Sequence, residues 1–172
     1  FNGWTFHNIK SWSRNNSHRS IRNKFTYGTG TIAVIDPYEF SLETAGVTTQ
    51  SEISTPSIDI SGAVAGELKL NFDSSWARKH TPNHASISVS YDGAAPITIK
   101  QFKEREKYGN NANKTINLDN PEGAQSATFT WSYETSEDLW AYWAIDNILV
   151  DDEQDNEYFS EDFEGLELKS YQ

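Results

Sequence analysis

Cysteine and methionine are both absent from the sequence. Without cysteine there are no disulfides, no thiolate metal sites and no thiol nucleophile. Without methionine the chain is expected to be a piece of a longer protein, tethered there to further domains. No apolar run is long enough to cross a bilayer as a helix, and the opening residues carry no signal-peptide pattern. No window of helical length keeps an apolar period of 3.6. Catalytic signatures are missing too: there is no Gly-x-Ser-x-Gly, no His-Glu-x-x-His and no phosphate loop. The histidines His7, His18, His80 and His84 show no paired ligand spacing, since Pro82 keeps a helix from joining His80 to His84. A glycosidase needs two facing carboxylates, and no pair stands at a recognisable motif. Catalysis is therefore not expected.

The 172 residues suffice for one domain with a sizeable core. The net charge of −11 is mostly local, because residues 151–172 hold nine acids against Lys169 alone. An acidic field disfavours nucleic acid as a partner, while the near-balanced remainder leaves room for a basic patch. Aromatic residues are the informative excess, with six Trp, eight Tyr and nine Phe. Most such rings belong in a core, and those in loops are free to stack on flat ligands.

Strand patterns dominate. Leu68, Leu70 and Phe72 alternate with Lys69, Asn71 and Asp73, as do Ile87, Val89 and Tyr91 with Ser86, Ser88 and Ser90. The stretch 125–133 opposes Ala127, Phe129, Trp131 and Tyr133 to Ser126, Thr128, Thr130 and Ser132. Residues 29–35, 96–102 and 114–118 are further strands, and 142–150, apolar on both faces except at Asp146 and Asn147, reads as central. Turns fall at Pro56, Gly62, Gly93 and Pro121–Gly123. The reading is an all-β fold, an antiparallel β-sandwich of the jelly-roll type. Residues 1–150 are assigned to the sandwich and 151–158 to an acidic linker. Residues 159–172 form a strand that either completes this sandwich or opens a following repeat. The polar, basic stretch Ser11–Lys24 is expected as a long loop.

Five segments carry a resemblance. They are residues 28–36, residues 54–62, residues 70–76, Val89-Ser90-Tyr91-Asp92-Gly93 and Trp143-Ala144-Ile145-Asp146-Asn147. In that order they resemble the MAM-like and cleaved-adhesin type of jelly-roll module, appended to secreted bacterial glycosidases, phosphoesterases and adhesins. The resemblance spans roughly residues 25–150. It implies a non-catalytic module, extracellular or at the cell surface, commonly with calcium. Residues 159–166 are similar to that family's opening strand.

Calcium needs six to eight hard oxygen ligands. Asp146 on the last central strand, with Glu164 or Asp162 on the tail strand, supplies a candidate pair. For a glycan, the candidate contacts are the loop aromatics Trp12, Tyr108 and Trp140 with the cations Arg14, Arg78, His80 and Lys107. Rings beside guanidinium groups suit a sugar bearing carboxylate or sulfate. The Ser/Thr faces at 86–90 and 126–132 are a second candidate surface. The functional expectation is a carbohydrate-binding module of a secreted bacterial polysaccharide-acting protein, for an anionic or algal polysaccharide. A calcium-stiffened adhesin or spacer repeat and a protein-binding module are the alternatives.

Overall fold

The chain's computed structural model describes residues 4–14, 22, 25–37, 48–77, 83–102, 110–136 and 141–166. Alternation of apolar and polar side chains builds most of its strands. β1 (Thr5–Asn8), β2 (Thr31–Ile35), β5 (Lys69–Ala77), β8 (Asn110–Asn117), β10 (Tyr142–Asp151) and β11 (Glu157–Glu161) make a six-stranded antiparallel sheet. Its path is β1-β2-β10-β5-β8, with β11 also on β10. The facing sheet runs β3 (Thr48–Ser54), β9 (Ser126–Ser136), β6 (Asn83–Tyr91), β7 (Ile97–Phe102), with the short β4 (Ile58–Asp59) also on β9. This is the expected jelly-roll sandwich, with almost no helix among the described residues.

Rings fill the space between the sheets. Phe72 meets Trp131 edge-on at 5.8 Å, and Trp76 meets Tyr133 and Trp143 at 5.8 and 6.0 Å. Trp4 and Phe102 complete the cluster, 5.7 and 4.9 Å from Trp143. Such tilted and edge contacts suit the ring quadrupoles and fix the spacing of the sheets. The β6–β7 connection bends sharply at its start: Asp92 (φ 50°) and Gly93 (φ 72°) both adopt the left-handed conformation, and the Ala94 N–H donates to the Tyr91 carbonyl at 2.8 Å.

Two expectations need correction. The stretch Ser11–Lys24 is not one long loop. Helix α1 (Ile9–Arg14) begins before it, and Trp12, Phe25, Ile32, Val34, Ala77, Tyr142 and Ala144 form a second small core on the outer face of the six-stranded sheet. Arg22 lies wholly buried there, ion-paired with Asp36 and donating to the Trp12 carbonyl at 3.3 Å. Residues 151–158, expected as a linker, are a tight turn instead. Asp152 is buried and accepts from the Gln154 and Asn156 backbones, the Asn156 amide and the Tyr158 hydroxyl, which returns the chain as β11 along β10.

Candidate functional site

Strand register gathers the loop anchors at one end of the sandwich. Thr48 pairs with Ser136, Asn83 with Thr135, and Ala85 with Phe102 on one sheet. On the other, Trp76 pairs with Asn110, Ala77 with Tyr142, and Ile35 with Trp143. Segments 38–47, 78–82, 103–109 and 137–140 therefore all leave from and return to this end. Arg78, His80, Lys107, Tyr108 and Trp140 belong to three of those segments and lie outside the described residues. Arg14 closes α1, and its side chain is likewise outside the description.

Trp12 is a correction. It is only 1% exposed. One edge meets Tyr142 at 5.0 Å, the Arg22 guanidinium covers its ring at 5.2 Å, and its Nε1 donates to Asp36 at 3.3 Å. Both ring surfaces are occupied inside the second core, so it offers nothing to a ligand. Trp76, Trp131, Tyr142 and Trp143 are buried too. The aromatic excess is largely core. A ring that the sequence reading passed over, Tyr27, is 49% exposed instead. The Thr26 backbone N–H donates to Asn111 Oδ1 at 3.1 Å, and Asn111 Nδ2 returns a bond to Thr26 Oγ1 at 2.8 Å, fixing the chain beside that ring. Phe25, two positions before Tyr27, is buried in the second core instead.

The second candidate surface lies on the five-stranded sheet. Ser86 faces Ser132 and Ser88 faces Thr130 across β6 and β9, while Ser54 bonds Thr130 at 2.8 Å and Ser132 donates to Glu52 at 2.9 Å. This outer face is hydroxyl-rich.

The carboxylates meet elsewhere, where one edge of β10 passes from β2 to β11. β2 pairs with Trp143–Ile145 and β11 with Ile148–Asp151. Between them Asn147 takes a left-handed φ of 49°, and the ladder to β5 slips. The turn entering β2 covers the gap. Thr29 N–H donates to Asp146 Oδ2 at 2.9 Å, and Thr31 N–H donates to Glu164 Oε1 at 2.7 Å. Gly30 sits between them at φ +48°, where a Cβ would stand 1.7 Å from Glu164 Oε1. Asp162 points its carboxylate at the Glu164 backbone N–H, 3.1 Å away.

Asp146 is wholly buried. Its carboxyl is pushed up to about 7, chiefly by burial and in smaller part by the charges of Asp73 and Glu164, while the backbone N–H groups of Thr29 and Asn147 pull it down. No Lys or Arg among the described residues pairs with it. Glu164 stands near enough for its charge to act on Asp146, and these are the two described carboxylates that could hold a hard cation beside Gly30. Asp146, Glu164 and Asp162 do not form a closed three-carboxylate cluster, and no group of three or more such ligands occurs among the described residues.

The geometry defines a class first: a jelly-roll sandwich whose flanking strand ends gather at one end, with Asp146 and Glu164 where β10 passes from β2 to β11. No protein-family profile matches the chain, and no curated protein matches it in sequence. Among solved structures it is similar to TmCBM61, determined in complex with β-1,4-galactotriose, at 11% identity and a TM-score of 0.56, over 88% of this chain and 83% of that one. It is also similar to a family 16 carbohydrate-binding module (12% identity, TM-score 0.38, 74% and 80% covered). A third likeness is to the enzymatically active domain of tailspike protein 4 of bacteriophage CBA120 (17% identity, TM-score 0.40, 86% of this chain and 17% of that one). Of the three, the first supports the fold, and at such identity it supports the fold alone.

Proposed function

We propose that the chain is a non-catalytic carbohydrate-binding module that takes polysaccharide at the loop end of the sandwich. The observation that carries this is the convergence of four loop anchors over a rigid aromatic base. In the sequence, Arg78, Lys79, His80, Arg105, Lys107, Tyr108 and Trp140 fall between strand ends that lie at that end of the sandwich. Arg and Lys beside rings select a glycan bearing carboxylate or sulfate, as in algal polysaccharides. The likeness to TmCBM61, a module solved with a β-1,4-linked galactotriose, supports the choice of glycan as ligand class. Extracellular or cell-surface placement on a secreted bacterial protein, beside further domains, follows from that role.

Calcium belongs to the same proposal, as a structural ion held by Asp146 and Glu164. Bound there, it would supply positive charge between two carboxylates that otherwise repel, and the Thr29 and Thr31 N–H groups position them. Affinity electrophoresis against alginate and carrageenan tests the loop-end reading. R78A, K107A and W140A are each expected to weaken retardation, by roughly 1–3 kcal/mol for the stacking ring, and salt should screen the Arg and Lys part. Unchanged retardation in all three variants would place the site elsewhere.

A further inference from the structure

Half of the outer face of the six-stranded sheet has no described residue packed over it. α1 and the 25–30 turn cover the half around Val34, Tyr142 and Ala144. Past that turn, among the described residues, Asn113, Thr115, Asn147 and Ser160 are exposed, and nothing covers the floor formed by the outward side chains of β8, β5, β10 and β11. Their side chains are tied to each other across the strands. Asn113 donates to Asp73 Oδ1 and Asn147 donates to Asp73 Oδ2, each at 2.8 Å. Thr115 donates to Asn71 at 2.7 Å, and Asn71 donates to Asp151 at 2.8 Å. The floor continues onto β11 as a shallow depression of about 370 Å³, lined by Asn147, Leu149, Ser160 and Asp162 among others. At its margin stands Tyr27, beside Asn111, one outward position before Asn113 on β8.

We propose that this floor is a second glycan-contact surface, taking an uncharged, hydroxyl-rich polysaccharide chain, with Tyr27 as its stacking ring. The inference rests on the glycan-binding reading but uses a different face and the opposite charge preference. Asn113, Asn147 and Thr115 each spend one donor inside the network and keep further donor or acceptor capacity for sugar hydroxyls, which both give and take hydrogen bonds. The network holds these groups in place beforehand, so less side-chain freedom is lost on binding. Charge decides the class of glycan. Asp73, Asp151 and Asp162 outnumber Lys69 on this surface, which repels sulfate, uronate or phosphate and leaves an uncharged chain. Four strands spaced about 4.8 Å apart make a floor about 14 Å across, with outward residues about 6.8 Å apart along each strand.

The test is native affinity electrophoresis of the full chain. The uncharged probes are β-1,4-galactan, glucomannan and mixed-linkage β-glucan; alginate and carrageenan are the anionic ones. Tyr27 is half exposed, so Y27A should keep the fold, as melting curves will check. At least one uncharged probe should retard the parent. Y27A and the N113A/T115A double variant should weaken that retardation about five- to hundredfold. Y27F should preserve it, and R78A/K107A should leave it within about twofold. Loss in R78A/K107A with retention in Y27A and N113A/T115A would overturn the inference and leave the loop-end reading standing. Retardation by anionic probes only would do the same. Retardation by no probe would overturn both.

Discussion

At Gly30 a single methyl group has two separate costs. The left-handed backbone disfavours any L side chain by roughly 1–2 kcal/mol, and the new Cβ would land 1.7 Å from Glu164 Oε1. Glu164 would have to swing away and give up the Thr31 N–H. G30A is therefore expected to lower the urea midpoint without changing the slope of the transition, whereas a variant as stable as its parent would show that Glu164 does not rest on this turn. Residues of this kind divide sharply in legibility. Asp146 is readable because an ionisable group inside an apolar strand demands a partner. Gly30 is not, because its backbone angle and its neighbour 133 or so positions away are set only by the tertiary fold. Trp12 reads wrongly for a related reason: its polar neighbours Ser11, Ser13 and Arg14 make it look like a loop ring, while Arg22 and Tyr142 bury it.

Among the elements, the turn between β10 and β11 carries a clear pH signature. The Asn156 side chain, then the Asn156 backbone, Tyr158 and the Gln154 backbone, hold the Asp152 carboxyl below its ordinary value, against a contrary push from burial. Its folded value lies below its unfolded one, so its contribution is present above pH of about 4 and disappears as pH falls through the folded value. D152N should thus melt below the parent at neutral pH, and the two curves should converge in acid; a constant gap across that range would refute the assignment. The strands themselves were largely readable. β6 and β9 alternate cleanly, and β10 reads as central because it is apolar on both faces. β3 escaped notice since Thr48–Ser54 presents Ile53 as its sole large apolar residue, and β1 and α1 are too short for any period to register. The turn at 151–158 was misread because an acidic run looks solvated until Asp152 is seen collecting four donors.

For the whole molecule, a cation between Asp146 and Glu164 would join the entry to β2, the middle of β10 and the segment after β11. Calcium at about a hundred times its Kd stabilises the folded form by roughly 2.7 kcal/mol, worth roughly 5–10 °C in Tm for a chain of this size. Chelator should lower the melting temperature of the native protein by that order, calcium should restore it, and D146N should lose the response; an unchanged curve would remove calcium from the account. The proposed loop-end residues Arg78, Lys107 and Trp140 are legible as members of polar segments, but that the strand ends flanking those segments share one end of the sandwich needed the strand register. The shared edge of β10 has a further consequence, in time rather than in space. All five residues of β2 are buried, yet β2 leaves the ribosome long before the strand it must pair with, and Thr31 waits 133 residues for Glu164. At ordinary rates of synthesis that delay is on the order of ten seconds. During it a strand apolar from Ile32 to Ile35 has only the short β1 beside it, so the nascent chain carries an adhesive segment midway through its own making, and the last strands to emerge are the ones that end the exposure.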